Sequence, residues 1–247
     1  MNYNWNWKIF WQMSPDGSHS YAGLLISGLG WTLATALIAW VMALALGAFI
    51  GTIRTTPVKW AVMLGNGYVE LFRNIPLLVQ MFLWFFVLPE LLPKAMGTWM
   101  KQLSNAPFIT AILCLGFFTS ARVAEQVRAG INSLPRGQGM AGTAMGLTVS
   151  QTYRYVVLPQ AFRIIIPPLT SEFLNIIKNS AVALTIGLME LTAQARSMQE
   201  FSFQVFEAFT AATLIYIFVN ILVVNLMRVI EKKIAIPGLI AASAGAH

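Results

Sequence analysis

The chain has 247 residues, of which 57% are hydrophobic and only 10% are charged, and its formal net charge is +7. Ordinary soluble domains carry about 25% charged residues, and one core of this size could hardly bury so much apolar surface. The composition excludes a typical soluble domain and predicts an all-α integral membrane protein. The basic residues are scattered at the ends of apolar segments, with no basic stripe, so nucleic acid is not an expected partner.

Metal, thiol and nucleotide chemistry lack their usual signatures in this sequence. Cys114 is the only cysteine and lies in an apolar run, while His19 and His247 are far apart, so no metal site is expected. The sequence has no P-loop motif, no zinc-protease motif and no nucleophile elbow. We therefore expect neither a cofactor in this chain nor an enzymatic activity.

The first residues, 1–19, are predicted to form an interfacial, periplasmic segment. Tryptophan and asparagine residues recur near the start, as in segments that lie at a membrane surface, and a turn signal follows at Ser14–Gly17. The segment lacks the basic start and continuous apolar run of a signal peptide. A floppy tail with chance aromatic residues is the alternative.

Five apolar segments predict spanning helices. The second has a polar head, Glu70–Asn74, followed by Pro76, which a helix start or a kink tolerates. In the first, Gly47 and Gly51 form a GxxxG pair that favours close helix packing. The expected spans are Ser20–Ile53, Glu70–Leu92, Ala106–Ile131, Ile164–Leu188 and Ala208–Met227, with polar connections at Pro93–Asn105 and Glu190–Glu207.

The distribution of the basic residues predicts the orientation of the chain. With the N-terminus outside, nine of them face the inside and four face the outside, in agreement with the positive-inside bias. We therefore expect a periplasmic N-terminus, a transmembrane domain over 20–234, a cytoplasmic loop at 132–163 and a cytoplasmic tail at 235–247. The inside set is Arg54, Lys59, Arg128, Arg136, Arg154, Arg163, Arg228, Lys232 and Lys233, and the outside set is Lys8, Lys94, Lys101 and Arg196.

The segment from Leu134 to Arg163 is the longest polar and basic interruption among the apolar segments. Its first half is rich in small residues, which allow another surface to approach the backbone closely. It resembles the loop of ABC importer permeases, in which a Glu-Ala-Ala motif is followed by a glycine and then by Ile-x-Leu-Pro. Met140 and Gly142 depart from that motif, so docking is expected to depend on shape and small residues rather than on an ion pair. The matching positions are Met140, Ala141, Gly142, Gly146, Val156, Leu158 and Pro159.

The resemblance extends over most of Trp31–Ile234 and is to the polar amino-acid branch of these permeases. It rests on the stretches ELFRNIPLLVQMF, FFTSARVAEQVRAGINSLPRGQ and LPQAFRIIIPPLTSEFLNIIKNSAVALTIGLMEL. It implies the transmembrane domain of a type I ABC importer, a multi-pass subunit of the bacterial inner membrane that pairs with a second permease as a heterodimer. It also implies two cytoplasmic ATPases, which hold ATP and magnesium, and a periplasmic amino-acid-binding protein. A short helix over Ala141–Ser150 would dock on an ATPase and transmit its closure to the spans.

Ionisable residues inside spans are candidate functional residues, because a charge in the bilayer is costly. Glu125 and Arg128 are three residues apart and are expected to pair along one helix, as are Glu70 and Arg73 at an interface. Arg122 would then need another anion.

Two positions indicate an acidic amino acid as the substrate. In related permeases a neutral residue is more common at the position of Arg122, and many have aspartate at Asn179. Both changes make the substrate cavity less negative, as a substrate carboxylate requires. Arg122 is predicted to bind the side-chain carboxylate. Asn179 and Ser180 would add hydrogen bonds at a discontinuity of the fourth span, and Glu172 is a further substrate-binding candidate. In the alternative, Arg122 pairs with Glu172 or Glu125 as a structural contact.

Other functions compete with that of an ATP-driven permease for acidic amino acids. A permease for another polar amino acid, such as glutamine, fits the same resemblance. A self-sufficient secondary transporter would show inverted repeats and ion ligands near the membrane midplane, and no repeat is found across the five segments. A non-transport assembly protein would not need charges inside its third and fourth spans.

Overall fold

The computed structural model describes residues 3–15 and 17–234. Within these ranges the regular elements are all helices, and the chain also forms an isolated bridge between Met13 and Ser20. A short 3-10 helix, Trp7–Trp11, precedes the longer elements. These are α1 (Tyr21–Ile53), α2 (Lys59–Asn74), α3 (Leu77–Leu91), α4 (Lys94–Gln102), α5 (Ala106–Asn132), α6 (Arg136–Ala144), α7 (Val149–Ile186), α8 (Leu191–Ser202) and α9 (Val205–Ile234).

Two of these helices are irregular. A π-helical turn interrupts α3 at Leu83–Val87, and another interrupts α7 at Tyr153–Val157. The last part of α7, Ser180–Ile186, is a 3-10 helix.

Three helices, α1, α5 and α9, are long and apolar enough to cross a membrane. Two bent pairs could each supply one more span: α2 with α3, bent by 101°, and α7 with α8, bent by 50°. The described residues therefore contain three to five candidate spans, and the predicted five require that each bent pair is a single span.

The boundaries of the second predicted span differ from the structure. The helical part begins at Lys59 rather than at Glu70, because 59–74 forms an amphipathic helix of its own. The chain then bends sharply at Pro76, whose backbone is extended. Proline lacks an amide hydrogen and disfavours a helical conformation in the residue before it, so α2 ends and α3 starts afresh.

The two expected polar connections are helices. Pro93–Asn105 contains α4, and Glu190–Glu207 contains α8. Both stretches are polar on average, but each forms an amphipathic helix. The carboxylate of Glu190 caps the first turn of α8. The predicted tail, 235–247, lies outside the described residues.

Contacts group the chain into two compact units, and α1, α5, α7 and α9 contribute to both. The first unit comprises the described residues up to Val41, together with Ile75–Gly116 and Asn175–Leu222. The second unit comprises Met42–Asn74, Phe117–Leu174 and the described residues from Val223 onward.

In the first unit, a fully buried carboxylate organises the start of α8. Glu190 accepts hydrogen bonds from the backbone amides of Thr192 and Ala193 at 2.9 and 2.7 Å. It also accepts one from the Tyr216 hydroxyl at 3.0 Å. These donors compensate the burial of the carboxylate, so this acid is explained by helix capping.

The N-terminal segment is held against the start of α9, also within the first unit. Glu207 accepts hydrogen bonds from the Tyr3 hydroxyl and, at 2.6 Å, from the Asn6 backbone amide. The indole rings of Trp5 and Trp7 stack on each other, with centroids 5.7 Å apart, and remain exposed. The segment is therefore anchored rather than floppy, and its place at a membrane interface remains a prediction.

Candidate functional site

The small-residue loop of the second unit folds into two helices joined by a turn. α6 ends at Ala144, and α7 begins at Val149 with Thr148 as its cap. Between them, Gly146 has a φ of +82°, in the left-handed region that favours glycine. The prediction of one helix over Ala141–Ser150 is therefore wrong, because this turn divides the stretch.

The two loop helices touch through a glycine. A Cβ added at Gly142 would lie 2.8 Å from Cγ2 of Thr152, so a larger residue would push α6 away from α7. Of the other motif positions, Leu158 is half-buried near the start of the regular part of α7, and Ala141 and Pro159 are exposed. Gly142 thus serves close contact within the loop itself.

An open groove lies beside this contact. Its volume is about 560 Å³, and its lining includes Met140, Val149 and Tyr153. Met140 is 70% exposed, and Met145, next to the glycine turn, is exposed as well. Apolar side chains exposed together in a polar loop are typical of a surface that docks another protein.

Tyr153 connects the loop to the end of α1. Its half-buried hydroxyl donates a hydrogen bond to the backbone carbonyl of Thr55 at 2.7 Å. Tyr153 is also the first residue of the π-helical turn in α7. The two residues are 98 positions apart, and no pattern in the sequence indicates this contact.

A cluster of charged residues lies where α1 ends and α2 and α5 pack together, also in the second unit. Oε1 of Glu125 accepts a hydrogen bond from Nη2 of Arg54 at 2.8 Å and lies 3.3 Å from Nη1 of Arg73. Nε of Arg54 donates to Oδ1 of Asn66 at 2.8 Å. Because the Arg54 side chain is only 4% exposed, these partners rather than water must compensate its charge.

The predicted ion pairs along single helices are not present in the described residues. Glu125 pairs with Arg54 and Arg73 on other segments, and Arg128 interacts with it only at longer range, without an ion pair. Glu70 likewise forms no ion pair with Arg73. Spacing along one helix predicts local neighbours, whereas here the packing of three segments decides the partner.

The close packing predicted for Gly47 and Gly51 is confirmed. A Cβ at Gly47 would lie 2.5 Å from Cβ of Val123, and one at Gly51 would lie 2.7 Å from the backbone oxygen of Ala124. Both glycines allow α1 to approach α5 closely. This approach brings the end of α1, with Arg54, to the charged cluster.

Arg122 lies on α5 and makes no ion pair within the part of the chain that the structure describes. Its guanidinium carbon is 4.9 Å from the centroid of the Phe118 ring, a cation–π distance, and its side chain is exposed. The alternative in which Arg122 pairs with Glu125 or Glu172 is not observed. Glu125 has other partners, and Oε2 of Glu172 is buried with no hydrogen-bond partner among the described residues.

Asn179 and Ser180 lie where α7 changes from α-helix to 3-10 helix. Asn179 is half-buried. Ser180 is fully buried, and its hydroxyl donates to the backbone carbonyl of Ile177 at 2.7 Å.

Comparison with known proteins identifies the family. The family described as binding-protein-dependent transport system inner membrane component matches residues 43–236. The chain belongs to this family. The permease is 49% identical over 241 residues to the glutamate/aspartate import permease protein GltJ of Escherichia coli (strain K12), covering 96% of this chain and 98% of that protein.

Two further relatives agree with this assignment. The permease is 33% identical to the probable glutamine ABC transporter permease protein GlnM of Bacillus subtilis (strain 168), over 85% of this chain and 93% of that protein. It also matches a crystal structure of an amino acid ABC transporter with histidines, with a TM-score of 0.74 and 31% identity. That match covers 86% of this chain and 95% of the other.

The chain is therefore the permease component of an amino-acid ABC importer, a transport subunit rather than an enzyme. It is an inner-membrane protein with the fold of an ABC importer transmembrane domain, and it works together with other subunits of the transporter. A self-sufficient secondary transporter and a non-transport assembly protein are both excluded by this family.

The Tyr153 contact gives a first test of how the loop acts on the spans. Tyr153→Phe keeps the ring and removes a hydrogen bond worth about 0.5–1.5 kcal/mol. We expect about 2- to 12-fold less substrate taken up per ATP hydrolysed, because the loop would be linked less firmly to α1. The ratio is measured with the reconstituted transporter in proteoliposomes. The control is Tyr155→Phe, whose side chain is exposed. Equal ratios in Tyr153→Phe and the unmodified permease would contradict the role.

Proposed function

We propose that the permease imports acidic amino acids such as glutamate and aspartate, and that Arg122 binds the side-chain carboxylate of the substrate. The observation that carries this proposal is the guanidinium of Arg122, without an ion pair in the described residues, on a helix apolar enough to span a membrane. A charge in a span is costly without a partner. A carboxylate can accept two parallel hydrogen bonds from one guanidinium. The relative named for glutamate and aspartate import supports the same substrate class.

Glu172 is proposed to bind the ammonium group of the substrate. It is 9% exposed, and its Oε2 has no hydrogen-bond partner among the described residues. A buried carboxylate oxygen without a donor is unfavourable, and an amino-acid ammonium would supply one. Asn179 keeps its proposed hydrogen-bonding role, whereas Ser180 is the weaker candidate because its hydroxyl already has an acceptor.

The proposed topology has five spans, formed by α1, the α2–α3 pair, α5, the α7–α8 pair and α9, with the N-terminus in the periplasm. The loop at 134–163 would then face the cytoplasm and dock on an ATPase through its exposed apolar surface at Met140 and Met145. The proposed complex contains a second permease in a heterodimer, two ATPases and a periplasmic binding protein. ATP and magnesium would be held by the ATPases.

A glutamine permease is the second candidate. The 33% identical relative from Bacillus subtilis is named for glutamine. An amide is neutral, however, and would leave the charge of Arg122 without compensation in the membrane. The balance therefore favours an acidic substrate.

Arg122→Gln tests the proposed function. A hydrogen bond to a charged group contributes about 1.5–3 kcal/mol, so glutamate uptake should fall about 10- to 100-fold while glutamine uptake changes less. Uptake of labelled amino acids is measured in cells that also produce the other transporter subunits. Arg196→Gln is the control, because Arg196 is exposed and, among the described residues, pairs only with Glu200 on its own helix. Unchanged glutamate uptake would overturn the substrate role, and loss of the assembled complex would make Arg122 a structural residue.

A further inference from the structure

A small polar cavity lies within the charged cluster of the second unit. Its volume is about 260 Å³. Three arginines and two glutamates line it, together with two asparagines, so its formal net charge is +1. The charged residues are Arg54, Arg73, Arg128, Glu70 and Glu125. Arg128 is six residues from Arg122 on α5, which is about 9 Å along a helix.

Several charged groups of this cavity lack close partners. Two arginines, Arg54 and Arg73, share the carboxylate of Glu125. Neither Arg128 nor Glu70 makes an ion pair within the described residues, and Nη1 of Arg54 is buried there without a hydrogen-bond acceptor. A buried guanidinium N–H without an acceptor is unfavourable, so the cavity calls for an anionic group.

We propose that this cavity is a second binding site for a free acidic amino acid, on the cytoplasmic side of the permease. Nη1 of Arg54 and the guanidinium of Arg128 can donate to the α-carboxylate of an amino acid, and the carboxylate of Glu70 can accept from its α-ammonium. The net charge of +1 matches the net charge of −1 of an acidic amino acid. The volume lies just below the range of about 300–1,000 Å³ for drug-sized ligands and suits a smaller molecule. The substrate class rests on the proposed function.

The loop at 134–163 has a direct connection to this cavity. Thr55, which accepts the hydrogen bond of Tyr153, follows Arg54 in the chain. A movement of the loop therefore moves the backbone beside the buried guanidinium and alters the pairing of Arg54 with Glu125. The site would thus bind the amino acid after its import, with an affinity that changes when the loop moves.

A cysteine at the cavity wall reports its occupancy. Asn74 lines the cavity and is exposed, whereas the native Cys114 is fully buried. In the purified transporter, glutamate should slow the labelling of Asn74→Cys by a soluble thiol reagent. Arg163→Cys, at an exposed position outside the cavity lining, should label at the same rate with and without glutamate.

A second substitution tests the proposed cation. Arg128→Gln, added to Asn74→Cys, should raise the glutamate concentration for half-protection about tenfold or more. Arg128→Lys keeps the charge and should raise this concentration less. Arg163→Gln removes a cation outside the cavity and should leave the half-protection concentration unchanged.

Other ligands, tested on the Asn74→Cys variant alone, show whether the cavity selects an acidic amino acid. L-arginine and inorganic phosphate should give no protection at the concentration where glutamate protects. The absence of protection by glutamate, equal protection by phosphate or arginine, or unchanged protection after Arg128→Gln would each overturn the site. Protection by glutamate without glutamate uptake would instead count against the proposed function alone.

Discussion

The Glu125→Ala variant should lose about 3 kcal/mol of folding free energy and much of its assembled complex, because it leaves a buried guanidinium without its counterion. The Arg54 side chain is 4% exposed and cannot be hydrated, whereas Arg73 is half exposed and can be. Breaking a buried pair costs about 3–5 kcal/mol, and the lower end applies because the Glu125 side chain is 32% exposed. The melting temperature of the purified complex, followed by tryptophan fluorescence, measures the loss.

Two matched variants separate burial from charge. Glu200→Ala breaks an ion pair of similar length, Arg196–Glu200, but one that is exposed on both sides. It should cost only about 0.3–0.5 kcal/mol. Arg54→Met combined with Glu125→Met removes both charges and should recover part of the stability that Glu125→Ala loses. If Glu125→Ala melts at the temperature of the unmodified permease, the cluster does not stabilise the fold.

Gly146→Ala should reduce ATP-driven uptake about 5- to 30-fold, because a left-handed conformation costs a residue with a side chain about 1–2 kcal/mol. The φ of Gly146 is +82°, and no other atom lies within 4 Å of an added Cβ. The effect would therefore come from the backbone, which would shift the exposed Met140 and Met145 on either side of the turn. Uptake and ATP hydrolysis are measured on the same preparation, with the amount of co-purified ATPase.

Gly137→Ala is the matched control for this turn. A Cβ at Gly137 also meets no other atom within 4 Å, but its φ is outside the left-handed region. Alanine at this position in α6 should be neutral or stabilising, since glycine costs about 1 kcal/mol in a helix. Equal uptake by the two variants, or no loss in Gly146→Ala, would show that the shape of the turn does not matter for coupling.

The sequence alone determines that this is a helical membrane protein and where its least ambiguous helices lie. The predicted third span, Ala106–Ile131, differs from α5 by one residue at its end. Long uncharged runs can satisfy their backbone in a bilayer only as helices, which leaves few alternatives. The packing of α1 through Gly47 and Gly51 was equally predictable, because small residues four apart lie on one face.

Only the tertiary structure decides how the charges pair and which polar segments are helical. Glu125 has Arg128 on its own helix, yet it hydrogen-bonds to Arg54, 71 positions away. Tyr153 reaches Thr55 across 98 positions. Such partners depend on which buried groups have to be compensated once the helices pack, and spacing along the chain carries no information about that. The sequence predicts that Arg122 needs an anion. Only the structure shows that no acid in the described residues pairs with it.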